Sequence, residues 1–169
     1  MKVIKDFLGN ELKYECMGCA ISNLKINIPG GIIYNGKYAI LAADPEIPLP
    51  GFLVVNSKRH VNSFSKLTKE EIIEIGLLIK YAEEALKDLR ITTEVTLVQE
   101  ERSKHLHLWI FPTHQWMIDK YGKGIFYLKE IIDDVMHNHN ESDVQEVMET
   151  TQKIKQYFIE KKVKNAIEN

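Results

Sequence analysis

Apolar and polar residues change over along this chain with two periods, and those periods lay out its elements. Residues 104–112 read Lys-His-Leu-His-Leu-Trp-Ile-Phe-Pro, so His105, His107 and Trp109 alternate with Leu106, Leu108 and Ile110. A period of two predicts a β-strand, with two imidazoles and an indole in a row on one face and aliphatic side chains on the other. Residues 32–34 and 38–42 read as strands joined at Asn35-Gly36, a strong short-range hairpin signal. The three prolines in 44–50 predict a rigid loop. Gly51-Phe52-Leu53-Val54-Val55 is a strand of β-branched and aromatic residues that runs into the polar, cationic Ser57-Lys58-Arg59-His60. Residues 91–99 predict a further strand, and 100–103 turn it into the His105 strand, which returns antiparallel. Thr68-Lys69-Glu70-Glu71 has the form of a capping box, and Ile72, Ile75, Leu78 or Ile79, Ala82 and Leu86 continue at helical spacing to about Leu89. Gly122 and Gly124 break the chain before a helix near 125–136. Residues 138–140 break that helix, and Ser142 is placed as N-cap of a last helix over 143–164. Residues 1–15 show no clear period, and Cys16 to Cys19 around Gly18 reads as a tight turn. The expected fold class is α+β: an antiparallel sheet, one long packed helix and, over 125–169, a helical C-terminal extension of the same domain.

Composition narrows the class. The 169 residues suffice for one domain with a sizeable core, and 44% apolar with 27% charged residues is a folding chain's balance, which argues against disorder. Net charge is −2, so the chain lacks the basic field that holds a polymeric nucleic acid; a small anion needs only a local pocket. No apolar run is long enough to span a membrane. The charged start (Lys2, Lys5, Asp6) lacks the apolar core of a signal peptide, so a cytoplasmic location is expected by default.

Cys16 and Cys19 are the only cysteines. Their Cys-x-x-Cys spacing suits a metal clip or a redox pair and suits a structural disulfide poorly. As a clip it supplies two ligands, and zinc would take two more, with histidine the expected type. The histidine strand leaves two readings open. Each buried imidazole must find partners for two nitrogens, which favours a site; solvated histidines on a half-exposed strand are the plainer alternative.

The order of these pieces resembles the histidine triad superfamily of nucleotidyl hydrolases and transferases. The resemblance runs over residues 14–117 and rests on Cys16-x-x-Cys19, Pro50 to Val55 followed by Lys58-Arg59-His60-Val61, the long helix, and His105-Leu106-His107-Leu108. It implies a HIT-like fold, with residues 1–124 as the nucleotide-binding domain. It implies that His107 attacks the α-phosphate of a nucleotide conjugate to form a covalent nucleotidyl-imidazole, which water or another phosphate then takes over. The second nitrogen of that ring is then expected on a backbone carbonyl, which fixes the tautomer. Zinc-bearing members imply a closed, structural Cys₂His₂ site at Cys16, Cys19, His60 and His105. Asp44 falls near the acid that hydrogen-bonds ribose hydroxyls in the family, and Gln99 and Ser103 flank the turn that places polar groups on the phosphates. Phe52 and Ile32 could sandwich a base, with ordinary core packing the stronger expectation. Trp116 stands where some members put an aromatic residue near a partner subunit's site, and members commonly form homodimers through the long helix and an edge strand.

The departure is Trp109. The family has a third histidine there that contacts the phosphate, and the uridylyltransferase branch has glutamine. An indole N–H can donate to a phosphoryl oxygen but cannot act as a base. The ring could equally fill the phosphate pocket, which would leave a catalytically reduced zinc-containing nucleotide-binding protein. His114, five residues on, offers another imidazole. A zinc-stapled interaction protein that works through its C-terminal helices is the reading from another class.

Overall fold

A computed structural model describes residues 1–99 and 103–168. The chain opens with a hairpin of β1 (Lys2–Lys5) and β2 (Glu11–Tyr14), a two-stranded sheet of its own where the sequence pattern supports no element. Asp6 builds the turn, its carboxylate accepting the N–H groups of Leu8 and Asn10 at 2.9 Å each. The cysteine segment is a short helix, α1 (Met17–Ser22), with Cys16 as its N-cap, where a tight turn is expected.

The period-two runs form one antiparallel sheet from β3 (Ile32–Asn35), β4 (Ala39–Ala43), β5 (Leu53–Ser57), β6 (Val95–Gln99) and β7 (His107–Pro112). Their spatial order is β3-β4-β5-β7-β6, so β3 and β6 are the edges. Of the predicted 100–103 turn, residues 100–102 lie outside the described residues. The β3–β4 hairpin turns one residue later than the Asn-Gly signal suggests. Asn35 still pairs with Ile40, and the turn runs over Gly36 to Tyr38. The side chain of Glu74 displaces it, accepting the Tyr38 and Ala39 N–H groups at 2.9 and 2.8 Å. Only glycine fits at 36, since a Cβ there would sit 2.1 Å from the Glu74 carboxylate.

The long helix is α2 (Lys69–Asp88), and its capping box is complete: Thr68 accepts the Glu71 N–H and Glu71 accepts the Thr68 N–H. It buries Ile75, Leu78, Ala82 and Leu86 against Leu41, Leu53, Val55 and Ile110 of the sheet. Beyond the sheet come α3 (Gln115–Tyr121), α4 (Leu128–Asn138), α5 (Glu141–Glu160) and α6 (Val163–Glu168). The α3 helix has no counterpart in the sequence pattern. The N-cap of α5 is Asn140 and not Ser142, because the Asn140 Oδ1 accepts both the Ser142 and Asp143 N–H groups.

The C-terminal helices divide between the two faces of the sheet. Ile154, Tyr157, Phe158 and Val163 of α5 and α6 join the α2 core. Met117 of α3 and Ile131 of α4 cover the opposite face at Phe52, Val54 and Phe111. On that opposite face Ile21 of α1 packs on Ile40 and Ala42. No helix among the described residues is long and apolar enough to cross a membrane.

Candidate active site and metal cluster

Register decides which side chains meet on the face opposite α2. Val54 pairs with Trp109 and Asn56 with His107 across β5 and β7. Directly opposed residues share a face, so His107, Trp109, Val54 and Asn56 stand together between the α1 patch and the α3–α4 patch. They line a cavity of ≈ 700 Å³ with Met17, Gly18, Ile21, Asp44, Glu46, His60, Ser103 and Lys104, and Lys2 and Tyr14 of the hairpin reach it as well.

Only two of the expected row of three belong to the strand. The backbone of Leu106 bonds Val61 and Ser57 before the ladder of β7 begins, which leaves His105 in the bend ahead of it. There His105 is 1% exposed, and its Nε2 lies 2.6 Å from the Ser57 carbonyl. That carbonyl accepts from the Nε2–H and leaves Nδ1 as the lone-pair nitrogen, the arrangement that orients a metal-ligating histidine. Burial holds the His105 pKa below the ordinary imidazole value, against the Ser57 bond, with His60 and His107 adding to the lowering.

The His105 Nδ1 faces Cys16 Sγ at 3.4 Å and Cys19 Sγ at 3.3 Å; the His60 Nδ1 lies 3.6 and 3.1 Å from the same sulfurs. All four donors fall within 4.8 Å of one another. Tetrahedral zinc at ordinary Zn–S and Zn–N lengths requires S···N edges of about 3.5 Å, so the set fits a four-coordinate ion. Burial and the neighbouring Cys16 push the Cys19 thiol up, an effect that a bound divalent cation reverses. Gly18 permits the approach of α1, because a Cβ there would lie 2.5 Å from the His105 ring.

The His107 Nδ1 lies 3.1 Å from the His105 carbonyl. Donation to that oxygen leaves Nε2 unprotonated on a ring that lines the cavity, the tautomer a nucleophile requires. Ser103 Oγ donates to the same carbonyl at 2.9 Å, so its hydroxyl helps hold the His105–His107 backbone from the cavity wall. Trp109 stands edge-on to Phe52, with ring centroids 5.3 Å apart at 82°, and 6.3 Å from the His107 ring. Asp44 Oδ1 accepts the Glu46 and Ile47 N–H groups at 2.9 Å each. Desolvation raises its pKa to about 6 against those two bonds.

Other sequence candidates are not brought here. Gln99 pairs with Leu108 and so lies on the α2 face, one residue out of phase with His107. The His114 Nε2–H donates to the Pro50 carbonyl, 2.8 Å away, and the ring lines a separate cavity of ≈ 330 Å³ with Trp116, so it does not restore an imidazole beside His107. Phe52 is core, packed with Val54 and Phe111, and Ile32 packs on the Ile21–Ile40 patch. The sequence reading missed Met17 and Ile21 as apolar wall, Lys104, Glu46 and Tyr14 as polar wall, and Asn56. The last carried a signal, since an asparagine closes the otherwise apolar run Leu53 to Val55.

No protein-family model matches the chain, and no curated protein matches it. Solved structures do. A Zn-bound histidine triad family protein from Mycobacterium smegmatis superposes with a TM-score of 0.61 at 12% identity, covering 86% of this chain and 94% of that one. A Hit-like protein involved in cell-cycle regulation from Bartonella henselae gives 0.61 at 17% identity over 86% of this chain and 98% of its own. The Plasmodium falciparum diadenosine triphosphate hydrolase gives 0.54 at 17% identity over 95% and 87%. The five-stranded sheet and the long helix therefore have the histidine triad fold, with the Cys₂His₂ group at the entry to the His107 strand.

Proposed function

We propose that the protein is a histidine triad-like nucleotidyl hydrolase or transferase that acts at the α-phosphate of a nucleotide conjugate through His107. The observation that carries the reading is the His107 Nδ1 contact with the His105 carbonyl, on a ring that lines a cavity large enough for a nucleotide. In the first step the Nε2–phosphorus bond forms as the bond from phosphorus to the leaving-group oxygen breaks, and the electron pair departs with that oxygen. The His105 carbonyl then faces the N–H of a cationic imidazole and stabilises it. In the second step water or another phosphate attacks phosphorus and returns the electron pair to Nε2. Trp109 offers its indole N–H to the phosphoryl group, Met17 and Ile21 give the base an apolar wall, and Asp44 accepts from the ribose hydroxyls. Cys16, Cys19, His60 and His105 would hold zinc as a closed structural set, which braces the backbone that carries His107 and supplies no open position for substrate.

The experiment is incubation with diadenosine polyphosphates, adenosine phosphoramidate and nucleotide sugars, followed by intact mass. An adduct of one nucleotidyl group that disappears in His107→Ala is the expected result. Nucleotide binding with no adduct and no turnover on any of these compounds decides for the second reading, a catalytically reduced binding protein. That reading is favoured by the edge contact of Trp109 with Phe52, which fixes an apolar ring where the family has an imidazole. A homodimer belongs to the same proposal: Ile73 of α2 is 48% exposed and Leu97 of the edge strand β6, on the same side of the sheet, 49%.

A further inference from the structure

We propose that Asn56 is a phosphate-binding residue of this site, its side-chain amide donating to a non-bridging oxygen of the phosphoryl group that faces His107. The proposal rests on the reading of the cavity as a nucleotide site and adds a residue to it. Three observations carry it. Asn56 is the direct cross-strand partner of His107 in the β5–β7 ladder, so the two side chains leave the same face as nearest neighbours. It is only 4% exposed and yet contributes to the cavity wall, so what remains accessible of it opens on the ligand space. Its amide makes no hydrogen bond to any described residue, whereas the next residue, Ser57, bonds the Arg59 and Leu106 carbonyls.

An unpaired amide in this place works against the fold. The flanking positions Leu53, Val54 and Val55 are aliphatic and buried, and asparagine is a poor strand former. A leucine or valine would serve the packing better, and a polar side chain that meets the cavity with no hydrogen-bond partner among the described residues calls for an explanation in function. The chemistry of the ligand supplies one. A phosphoryl group approached by the His107 Nε2 carries negative charge on its non-bridging oxygens, and the charge grows as the nitrogen–phosphorus bond forms. The Asn56 NH₂ has two donors, transfers no proton, and needs no change of protonation state to meet that charge. Trp109, diagonal to it across the ladder, has one donor on a ring held by Phe52. The asparagine therefore provides, from the neighbouring strand, polar contact that the indole at 109 supplies only in part.

The test is calorimetric binding of AMP and of adenosine to the full-length, zinc-loaded protein, wild type against Asn56→Leu and Asn56→Asp, with thermal unfolding alongside. For Asn56→Leu the Kd for AMP rises about tenfold, as loss of one hydrogen bond to a charged group implies, while the Kd for adenosine and the zinc content stay the same and Tm does not fall. Asn56→Asp keeps the shape but turns a carboxylate toward the phosphate, and it weakens AMP more than Asn56→Leu does. A side chain that matters only for packing would move AMP and adenosine together and lower Tm, and that pattern overturns the proposal. So does AMP affinity within twofold of wild type in both variants. In either case the nucleotide reading survives, because wild type still binds AMP; a wild-type protein that binds no AMP overturns both.

Discussion

At Asp44 two influences on one carboxyl oppose each other. Removal of water raises its pKa to about 6, and the Ile47 and Glu46 N–H groups pull it down without winning. The folded value lies above the reference of 3.8, so the fold favours the protonated form. The contribution to stability is complete below that reference and is gone once pH has risen through about 6. Acceptance from ribose hydroxyls instead calls for the carboxylate. Affinity for adenosine, which has no phosphate to titrate, therefore falls as pH drops through about 6, and Asp44→Asn removes the step. Titration calorimetry across this range checks it; a wild-type profile flat through the interval takes Asp44 away from the ribose. The residues of the site were legible to different depths for a geometric reason. His105, His107, Cys16 and Cys19 announce themselves by spacing within a few residues. Asn56 does not, since its place beside His107 depends on the register of strands some fifty residues apart. Gln99 fails for the same reason, as a shift of one residue sends a strand side chain to the opposite face.

Between elements, Arg59 ties the start of α2 to the segment that ends in His60. Its Nε and Nη2 donate to the two Glu71 oxygens at 2.9 and 2.7 Å, and Nη2 also donates to the Lys66 carbonyl. Glu71, with a side chain 5% exposed, accepts the Thr68 N–H at the same time, so one carboxylate closes both the capping box and the ion pair. The guanidinium holds the Glu71 carboxyl below the usual carboxylate range, with the Thr68 bond adding to it against burial. Because the folded value lies under the reference of 4.5, the stabilisation is present above that pH and is lost as pH falls through the folded value. Arg59→Ala should lower stability at neutral pH, the half-exposed guanidinium limiting the loss. Urea unfolding should show that difference shrinking in acid, and a difference that persists unchanged after Glu71 has been protonated would refute the linkage. The box itself was readable from Thr68 and Glu71, and α2 from its apolar period. The β1–β2 hairpin was not, because Leu12 is the one fully inward side chain of β2 and a single residue shows no period. Helix α3 spans two turns with Met117 as its buried residue, too little for a helical period to stand out.

Over the whole molecule, the two faces of the sheet are held by different means, and this sets what loss of a metal held by the Cys₂His₂ group would do. The α2 face is a continuous apolar core closed by α5, with Tyr157 donating to Asp88 at 2.7 Å across the helix pair. The opposite face has separate apolar patches with the cavity between them, and α1 meets the sheet there through Ile21, Ile28, Ile40 and Ala42 together with the Cys₂His₂ group. A sheet with one long helix followed from the order of periods in the sequence. The division of the C-terminal helices between the faces did not, because an apolar stripe says that a helix packs without saying on which layer. With a metal bound, Cys16 and Cys19 at the start of α1, His60 beyond β5 and His105 before β7 would draw distant parts of the chain together, so its loss would fall first on what they hold. A strong chelator should lower Tm by about 10 °C, the scale set by losing a ligand far above its Kd in a domain of this length. Hydrogen exchange should then rise through residues 2–22 and around His105, while α2, β4 and β5 stay protected by the α2 core. The double variant Cys16→Ser with Cys19→Ser should reproduce both changes without chelator, and should weaken AMP binding because Met17, Gly18 and Ile21 line the cavity. Unchanged Tm and unchanged exchange in residues 2–22 after removal of the metal would mean that the hairpin and α1 are held by apolar contacts alone, and that the four ligands do not brace the His107 strand.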